Sequence, residues 1–266
     1  MRYGIEVVPF GEYTDPRRVV EFAYAAEDAG WEAISVWDHA HFWGGVGDPW
    51  VTLAAVAVRT ARLRLLTGVT PVPRYRPHLL ARTLHALDAL SEGRVTLGAG
   101  LGVDENLDPV GDGAAARVRA SMTDEALPLI TRWLAGETVT HAGAHYRAEA
   151  AQVCPGPVQD HVPVWVGGSS GAALRRAARW DGWFAGCIDE ARRVLVGPER
   201  IAERVDELRG YGASPVDVAV NGTTEPGDRL PAQYEEAGAT WWFESLFGLR
   251  GSPTELLERV SAGPPT

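Results

Sequence analysis

Eight short apolar runs punctuate the chain, at residues 3–8, 33–37, 64–69, 95–99, 162–166, 182–185, 216–220 and 240–243, and each reads as a buried strand. Between and after them, apolar positions recur at three- and four-residue spacing, which predicts helices over 16–29, 49–60, 77–90, 117–135, 172–179, 198–209, 230–237 and 254–262. Eight strand–helix units with short connections predict an α/β fold, a (β/α)8 TIM barrel. Two doubly wound halves are the alternative, but the stretch between Gly136 and Val162 holds no linker to separate them. That stretch contains VTHAGAHYRAEA, two strand-like runs around a glycine-containing turn. It predicts a short hairpin inserted between the fourth and fifth strand–helix units and projecting from the barrel. Composition alone leaves the domain count open; with the barrel reading, residues 1–266 are expected to form a single domain.

The segment TGVTPVPRYRPHLLARTLHALDALSEGRVTLGAG, residues 67–100, holds the pattern in its densest form. Pro77 suits the first turn of a helix, where no N–H is needed, and Leu79, Leu80, Leu84, Leu87 and Leu90 follow at helical spacing until Gly93 stops it. Gly98, Gly100 and Gly102 then leave the end of the next strand without side chains, either simply to turn the chain or to let a flat ligand lie against bare backbone.

In a barrel, chemistry belongs at the C-terminal strand ends. That filter selects residues 9–11, 38–43, 67–74, 98–106, 167–171, 185–187, 221–223 and 244–247. Trp37-Asp38-His39-Ala40-His41 places two imidazoles and a carboxylate at the mouth. His39 beside Asp38 is positioned for acid, base or hydrogen-bond work, against the plainer reading of a ring satisfied by a neighbouring loop. A metal-dependent amidohydrolase would need further histidines from later strands, and none follows His161. No metal site is expected. Gly167-Gly168-Ser169-Ser170-Gly171 opens a helix with bare N–H groups and hydroxyls, which suits a phosphate monoester as well as ordinary capping. Ten tryptophans are many for 266 residues; most belong to the core, while Trp43 and Trp183 are candidates to wall an aromatic ligand or substrate. Arg74, like Arg76 and Arg82, is a candidate for meeting a substrate anion, although a solvated or salt-bridged arginine is the commoner fate, and His41 is a candidate for lining the same mouth.

Acidic residues outnumber basic ones 35 to 25, a formal charge of −10 without a compensating basic patch, which argues against nucleic acid and anionic membranes as partners. The absence of lysine excludes Schiff-base, Walker-type and carbamylated-lysine chemistry. Two cysteines, Cys154 and Cys187, lack metal spacing and suit a reduced compartment. The start MRYGIEVVPFG has no signal core and no apolar run reaches the length of a membrane span, so a cytoplasmic protein is expected.

Assembled, these pieces resemble the luciferase-like monooxygenase family of flavin- or deazaflavin-dependent oxidoreductases. The resemblance rests on Trp37-Asp38-His39, on TGVTPVPRYRP leading to Ala81-Arg82, and on Leu87-Asp88-x-Leu90-Ser91-x-Gly93-Arg94 followed by Gly98-x-Gly100. Pro163-Val164-Trp165-Val166-Gly167-Gly168 and the later Arg175-Arg176-Ala177-Ala178-Arg179-Trp180-Asp181-Gly182-Trp183 extend it. It implies a flavin-type ring lying against a bulge after the third strand, often with a non-proline cis peptide, here at Thr67, Gly68 and Val69 with Thr70 beyond. It implies that Gly167, Gly168 and Ser169 bind the cofactor phosphate, that Asn106 fixes the ring edge, and that His39 matches a histidine that sits near the reactive ring carbon in deazaflavin-using relatives; Asp38 and His39 are the candidate catalytic residues. The implied cofactor is either the 8-hydroxy-5-deazaflavin coenzyme (factor 420), exchanging hydride with a small organic substrate, or FMN in a monooxygenase. No dinucleotide fingerprint for NADPH is present, so the FMN enzyme would need a separate flavin reductase. A non-catalytic flavin-binding protein is a third outcome, and relatives commonly form homodimers. Val103 stands where sugar-phosphate dehydrogenases of the family place an acidic residue, which argues against a sugar phosphate.

Overall fold

The computed structural model describes residues 1–42, 44–185, 196–213, 216–225 and 228–265. Trp43 and Cys187 lie outside them. In chain order the elements begin β1 (Arg2–Val7), α1 (Pro16–Asp28), β2 (Ala33–Val36), α2 (Pro49–Ala57), β3 (Arg64–Thr67), β4 (Thr70–Pro71), α3 (Pro77–Leu90) and β5 (Val95–Gly100). They continue with α4 (Asp104–Leu107), α5 (Ala116–Leu134), β6 (Thr138–Ala142), β7 (Arg147–Gln152), β8 (Val164–Gly167), α6 (Gly171–Ala177) and β9 (Gly182–Phe184). The chain closes with α7 (Pro198–Gly210), β10 (Asp217–Gly222), α8 (Leu230–Glu236), β11 (Trp241–Leu246) and α9 (Pro253–Ser261).

Strands β1, β2, β3, β5, β8, β9, β10 and β11 pair in parallel, and β3–β5 and β1–β11 contacts close the ring into a TIM barrel. Alternation along the strands sorts the side chains. Ala33, Leu66, Trp165, Phe184, Ala219, Trp241 and Phe243 fill the interior, where Trp165 lies 5.6 Å from Trp241 and 6.3 Å from Phe243. Their neighbours Ile34, Leu65, Trp183, Val218 and Trp242 face the helices.

Helix α3 begins at Pro77 as its sequence demands, but Leu79 and Leu90 are 47% and 45% exposed. The buried stripe is Leu80, Ala81, Leu84, Leu87 and Asp88. At about 100° per residue, positions 79 and 90 fall together on a flank turned away from that stripe. The Asp88 carboxylate accepts from Val95 N at 3.2 Å and Gln159 Nε2 at 2.7 Å, tying the end of α3 to the following strand and to the approach to β8.

Strands β6 and β7 pair antiparallel between α5 and β8. Contrary to the sequence expectation, this pair does not project from the barrel. Val139 and Tyr146 turn into the core, and Glu125 of α5 accepts from His145 N, Tyr146 N and His141 Nε2 at 3.0, 2.8 and 2.8 Å. Trp133 Nε1 donates to Ala151 O at 2.9 Å. The pair is thereby docked along the helix that precedes it.

Between β3 and β4 the chain bulges, and the Gly68–Val69 peptide is cis. Strand β5 passes so close that a Cβ on Gly98 would stand 1.8 Å from the Thr67 carbonyl oxygen, and one on Gly100 would stand 2.5 Å from Val69 Cγ2. These glycines therefore make room for the bulge; Gly98 is not bare surface for a ligand, which corrects the expectation for it. Gly98→Ala is expected to destabilise the protein by at least ~3 kcal/mol, because a backbone oxygen cannot move aside as a side chain can. A urea denaturation midpoint equal to the parent's would contradict this.

Candidate active site

A cavity of about 500 Å³ opens at the C-terminal ends of the barrel strands, within the ~300–1,000 Å³ typical of small-molecule sites. Gly68 and Val69 of the bulge line it; Glu6 and Asn221 project toward it from the barrel interior. Trp37, Asp38 and His39 line it from the β2 end, and the turn Gly167–Ser170 with Arg176 from the β8 end. Leu101, Val103 and Asn106 come from the segment after β5.

His39 is sandwiched. Its ring stacks on Trp37 at 5.1 Å and 14°, and Phe10 meets it edge-on at 5.5 Å. Asn106 Nδ2 lies 3.0 Å from His39 Nδ1, while Asn106 Oδ1 accepts from Ala40 N at 2.6 Å and Nδ2 also donates to His41 O. Burial first, and then the Arg74 charge, push the imidazole down from 6.5 to about 4.

The Asp38 carboxylate takes no part in this arrangement, although it sits next in sequence. It accepts from Arg74 Nη2 at 2.5 Å and from the Tyr75 hydroxyl at 2.9 Å, and Tyr75 in turn accepts from Trp50 Nε1 at 3.0 Å. Burial pushes the Asp38 carboxyl up, but the guanidinium at contact distance favours its charged form, and Arg74 is itself pushed up. The pair is ionised, because a guanidinium keeps its proton and a neutral Asp38 would leave the Arg74 charge without a counter-ion. Asp38, expected as a catalytic residue beside His39, is thus turned to Arg74 and Tyr75, and the side chain that meets the imidazole nitrogen is that of Asn106. Arg74, expected to meet a substrate anion, is occupied by Asp38.

Other expected residues divide cleanly. Gly68, Val69, Asn106, Gly167, Gly168 and Ser169 line the cavity. Thr67 and Thr70 do not line it: the Thr70 hydroxyl donates to Thr67 Oγ1 at 2.9 Å and Thr67 to Gly98 O at 3.3 Å, fastening the bulge from beneath. Trp183 does not wall a ligand; it faces outward among the helices, and its Nε1 donates to Gly168 O at 2.8 Å, bracing the glycine turn. His41 contributes its backbone carbonyl to Asn106 and does not line the cavity. Trp43 lies outside the described residues. Among these residues no group of three or more His, Cys, Asp or Glu is arranged to hold a metal ion, and no helix is long and apolar enough to cross a membrane.

Three residues were missed. Glu6 is fully buried, its Oε2 accepting from Asn221 Nδ2 at 2.6 Å and Ser245 Oγ at 2.8 Å, while Oε1 and Asn221 Oδ1 have no partner among the described residues. Burial pushes its carboxyl up. A lone acid inside the apolar run of the first strand was the available signal for Glu6. Phe184 and Arg176 also line the cavity, Arg176 with its Nε and Nη2 held by Asp124 at 2.8 and 2.9 Å.

The luciferase-like monooxygenase family model matches residues 4–256. The chain belongs to this family. Among its luciferase-like relatives, an F420-dependent glucose-6-phosphate dehydrogenase of Nakamurella multipartita is 32% identical over 225 residues, 78% of this chain and 65% of that protein. An F420-dependent hydroxymycolic acid dehydrogenase of Mycobacterium tuberculosis is 33% identical over 193 residues, 70% of this chain and 53% of that protein. The chain thus spans from about half to just under two thirds of the length of these two relatives. In fold it matches the coenzyme F420-dependent tetrahydromethanopterin reductase of Methanopyrus kandleri with a TM-score of 0.80 at 17% identity, covering 98% of this chain and 97% of that one. The oxygenating constituent of 3,6-diketocamphane monooxygenase from Pseudomonas putida, solved with FMN, matches at 0.68 and 19%, covering 86% and 68%.

Because His39 is held neutral in the fold but protonates near 6.5 when unfolded, its contribution to stability is complete above pH 6.5 and is lost as pH falls toward 4. The full loss amounts to about 3 kcal/mol at most. Urea denaturation across this range is expected to show a shallower acid-side decline for His39→Gln than for the parent; parallel declines would contradict the assignment.

Proposed function

We propose that this chain is an oxidoreductase that binds a flavin-type cofactor in the mouth cavity, the deazaflavin coenzyme F420 ahead of FMN, and exchanges hydride with a small organic substrate. The observation that carries the reading is the placing of His39 and the Gly167–Ser169 turn on two sides of one cavity floored by the Gly68–Val69 bulge. The residues fit such a cofactor. Bare backbone at Gly68, Gly167 and Gly168 lets a flat ring and its phosphate approach closely, and the unpaired Oε1 of Glu6 and Oδ1 of Asn221 lie beside the same cavity.

The naming of 32–37% identical relatives as F420-dependent dehydrogenases supports the deazaflavin. When bound, that cofactor supplies a ring carbon that gives or takes a hydride. The chain's own residues do the rest. Gly167, Gly168 and Ser169 are assigned to the cofactor phosphate. The His39 imidazole is assigned to the reacting oxygen of the substrate, with Asp38 acting behind it by anchoring Arg74 and Tyr75. Leu101, Val103 and Ala120 make one wall apolar, which supports a substrate with an apolar body in place of a sugar phosphate. An FMN-dependent monooxygenase is the second reading, supported by the family's own description and by the fold match to an FMN enzyme. It would draw on a separate flavin reductase. A single domain and a homodimer are part of the same proposal.

Purified protein titrated in parallel with FMN and with coenzyme F420, followed by ligand fluorescence, is expected to bind the deazaflavin more tightly. Preferential FMN binding would move the assignment to the monooxygenase, and binding of neither would overturn it. Gly168 has φ +118°, and a Cβ there would sit 3.1 Å from Ala173 Cβ. Gly168→Ala is therefore expected to weaken cofactor binding about tenfold or more, ~1.4 kcal/mol, within the cost of one strained residue. Unchanged affinity would remove the turn from the cofactor site.

A further inference from the structure

The carboxamide of Asn106 has two backbone partners that fix which of its ends is which. Ala40 N–H, 2.6 Å from Oδ1, can only donate, and the His41 carbonyl beside Nδ2 can only accept. Rotating the amide by half a turn would set N–H against N–H and oxygen against oxygen, so the orientation follows without reference to the imidazole. Nδ2 has two hydrogens. One goes to His41 O, and the other is directed at His39 Nδ1, 3.0 Å away. A hydrogen arriving at Nδ1 requires a lone pair there, and a neutral imidazole with an unprotonated Nδ1 has its proton on Nε2.

We infer that Asn106 is a positioning residue that fixes His39 as the Nε2–H tautomer, so that the cavity presents a hydrogen-bond donor to an oxygen of the bound substrate. This rests on the proposed function only in naming that oxygen. Ring exchange of the two nitrogens is opposed by the stack on Trp37 and the edge of Phe10. Nε2 has no hydrogen-bond partner among the described residues, and His39 lines the cavity. Protonation at Nδ1 would set N–H against the Asn106 amide hydrogens.

The chemical consequence is selective. An Nε2 that already has its proton cannot take one from an alcohol, but it can polarise a carbonyl oxygen while hydride from the reduced cofactor adds to the carbon and water supplies the proton that completes the alcohol. The direction this tautomer favours is accordingly reduction of a carbonyl compound, with His39 as a neutral donor.

The test uses cofactor-free protein labelled with ¹⁵N-histidine, whose seven histidines are resolved by long-range ¹H–¹⁵N correlation. His39 is assigned by the signals lost in His39→Gln. At neutral pH the parent is expected to show His39 Nε2 in the protonated and Nδ1 in the unprotonated part of the ¹⁵N range. Asn106→Asp keeps an oxygen for Ala40 N–H and replaces the amide donor with an acceptor, so the Nδ1 signal is expected to shift to the protonated part. A parent His39 with protonated Nδ1 would overturn the inference, as would an Asn106→Asp spectrum with Nδ1 unmoved. If that variant does not fold, the parent spectrum decides alone. No cofactor enters the measurement, so its outcome is independent of the FMN and F420 titrations.

Discussion

Closure of the ring between β3 and β5 is the constraint on which the rest depends. The two strands pair directly only through Leu65 with Val95 and Leu66 with Thr96, after which the chain leaves the sheet in the Thr67–Val69 bulge and returns to pair Thr70 with Ala99 and Pro71 with Gly100. The barrel is sealed by a seam with an excursion in it, and that excursion floors the cavity. It is tolerated because β5 has glycine where the Thr67 carbonyl and the Val69 side chain press against it. Thr67 and Thr70 satisfy each other beneath. The same glycines that admit the bulge thus determine where a ligand can lie.

Around that floor, polar groups are arranged in pairs that leave a few atoms unspent. Asp38 with Arg74 and Tyr75 forms a buried ionic group behind the wall, and Arg176 with Asp124 forms another at the opposite side. Arg74 is matched by Asp38, while Asp124 is shared between Arg176 and Arg179. Against this, His39 Nε2, Glu6 Oε1 and Asn221 Oδ1 have capacity left over among the described residues. Leaving buried polar atoms unpaired costs about 1–3 kcal/mol each, which evolution tolerates most readily where a ligand or ordered water completes the bonding. The electrostatic character of the cavity is therefore that of a few fixed dipoles in apolar walls, suited to orienting a neutral reacting group.

Much of this was legible in the chain as letters. Strand and helix positions came from local periodicity, and Pro77, Pro198 and Ser252 stand at helix starts where their chemistry requires. The glycine turn after β8 was visible as a short contiguous motif, and the bulge after β3 was implied by the family resemblance. Glu6 could have been found as an acid out of place in an apolar strand. The outward face of Trp183 could have been read from the two-residue strand period, since its neighbour Phe184 points inward.

By itself, the sequence determined the order and kind of elements, and with them the end of the barrel at which any chemistry gathers, because both follow from patterns within a few residues. Tertiary structure alone decided which partner each polar side chain took. Asp38 bonds residues 36 and 37 positions away while ignoring its neighbour His39, Asn106 reaches back 67 positions to His39, and Glu6 reaches 215 positions forward to Asn221. Hydrogen bonds are won within a few tenths of an ångström and a few tens of degrees, and such margins are set by how the ring closes, which no local pattern records.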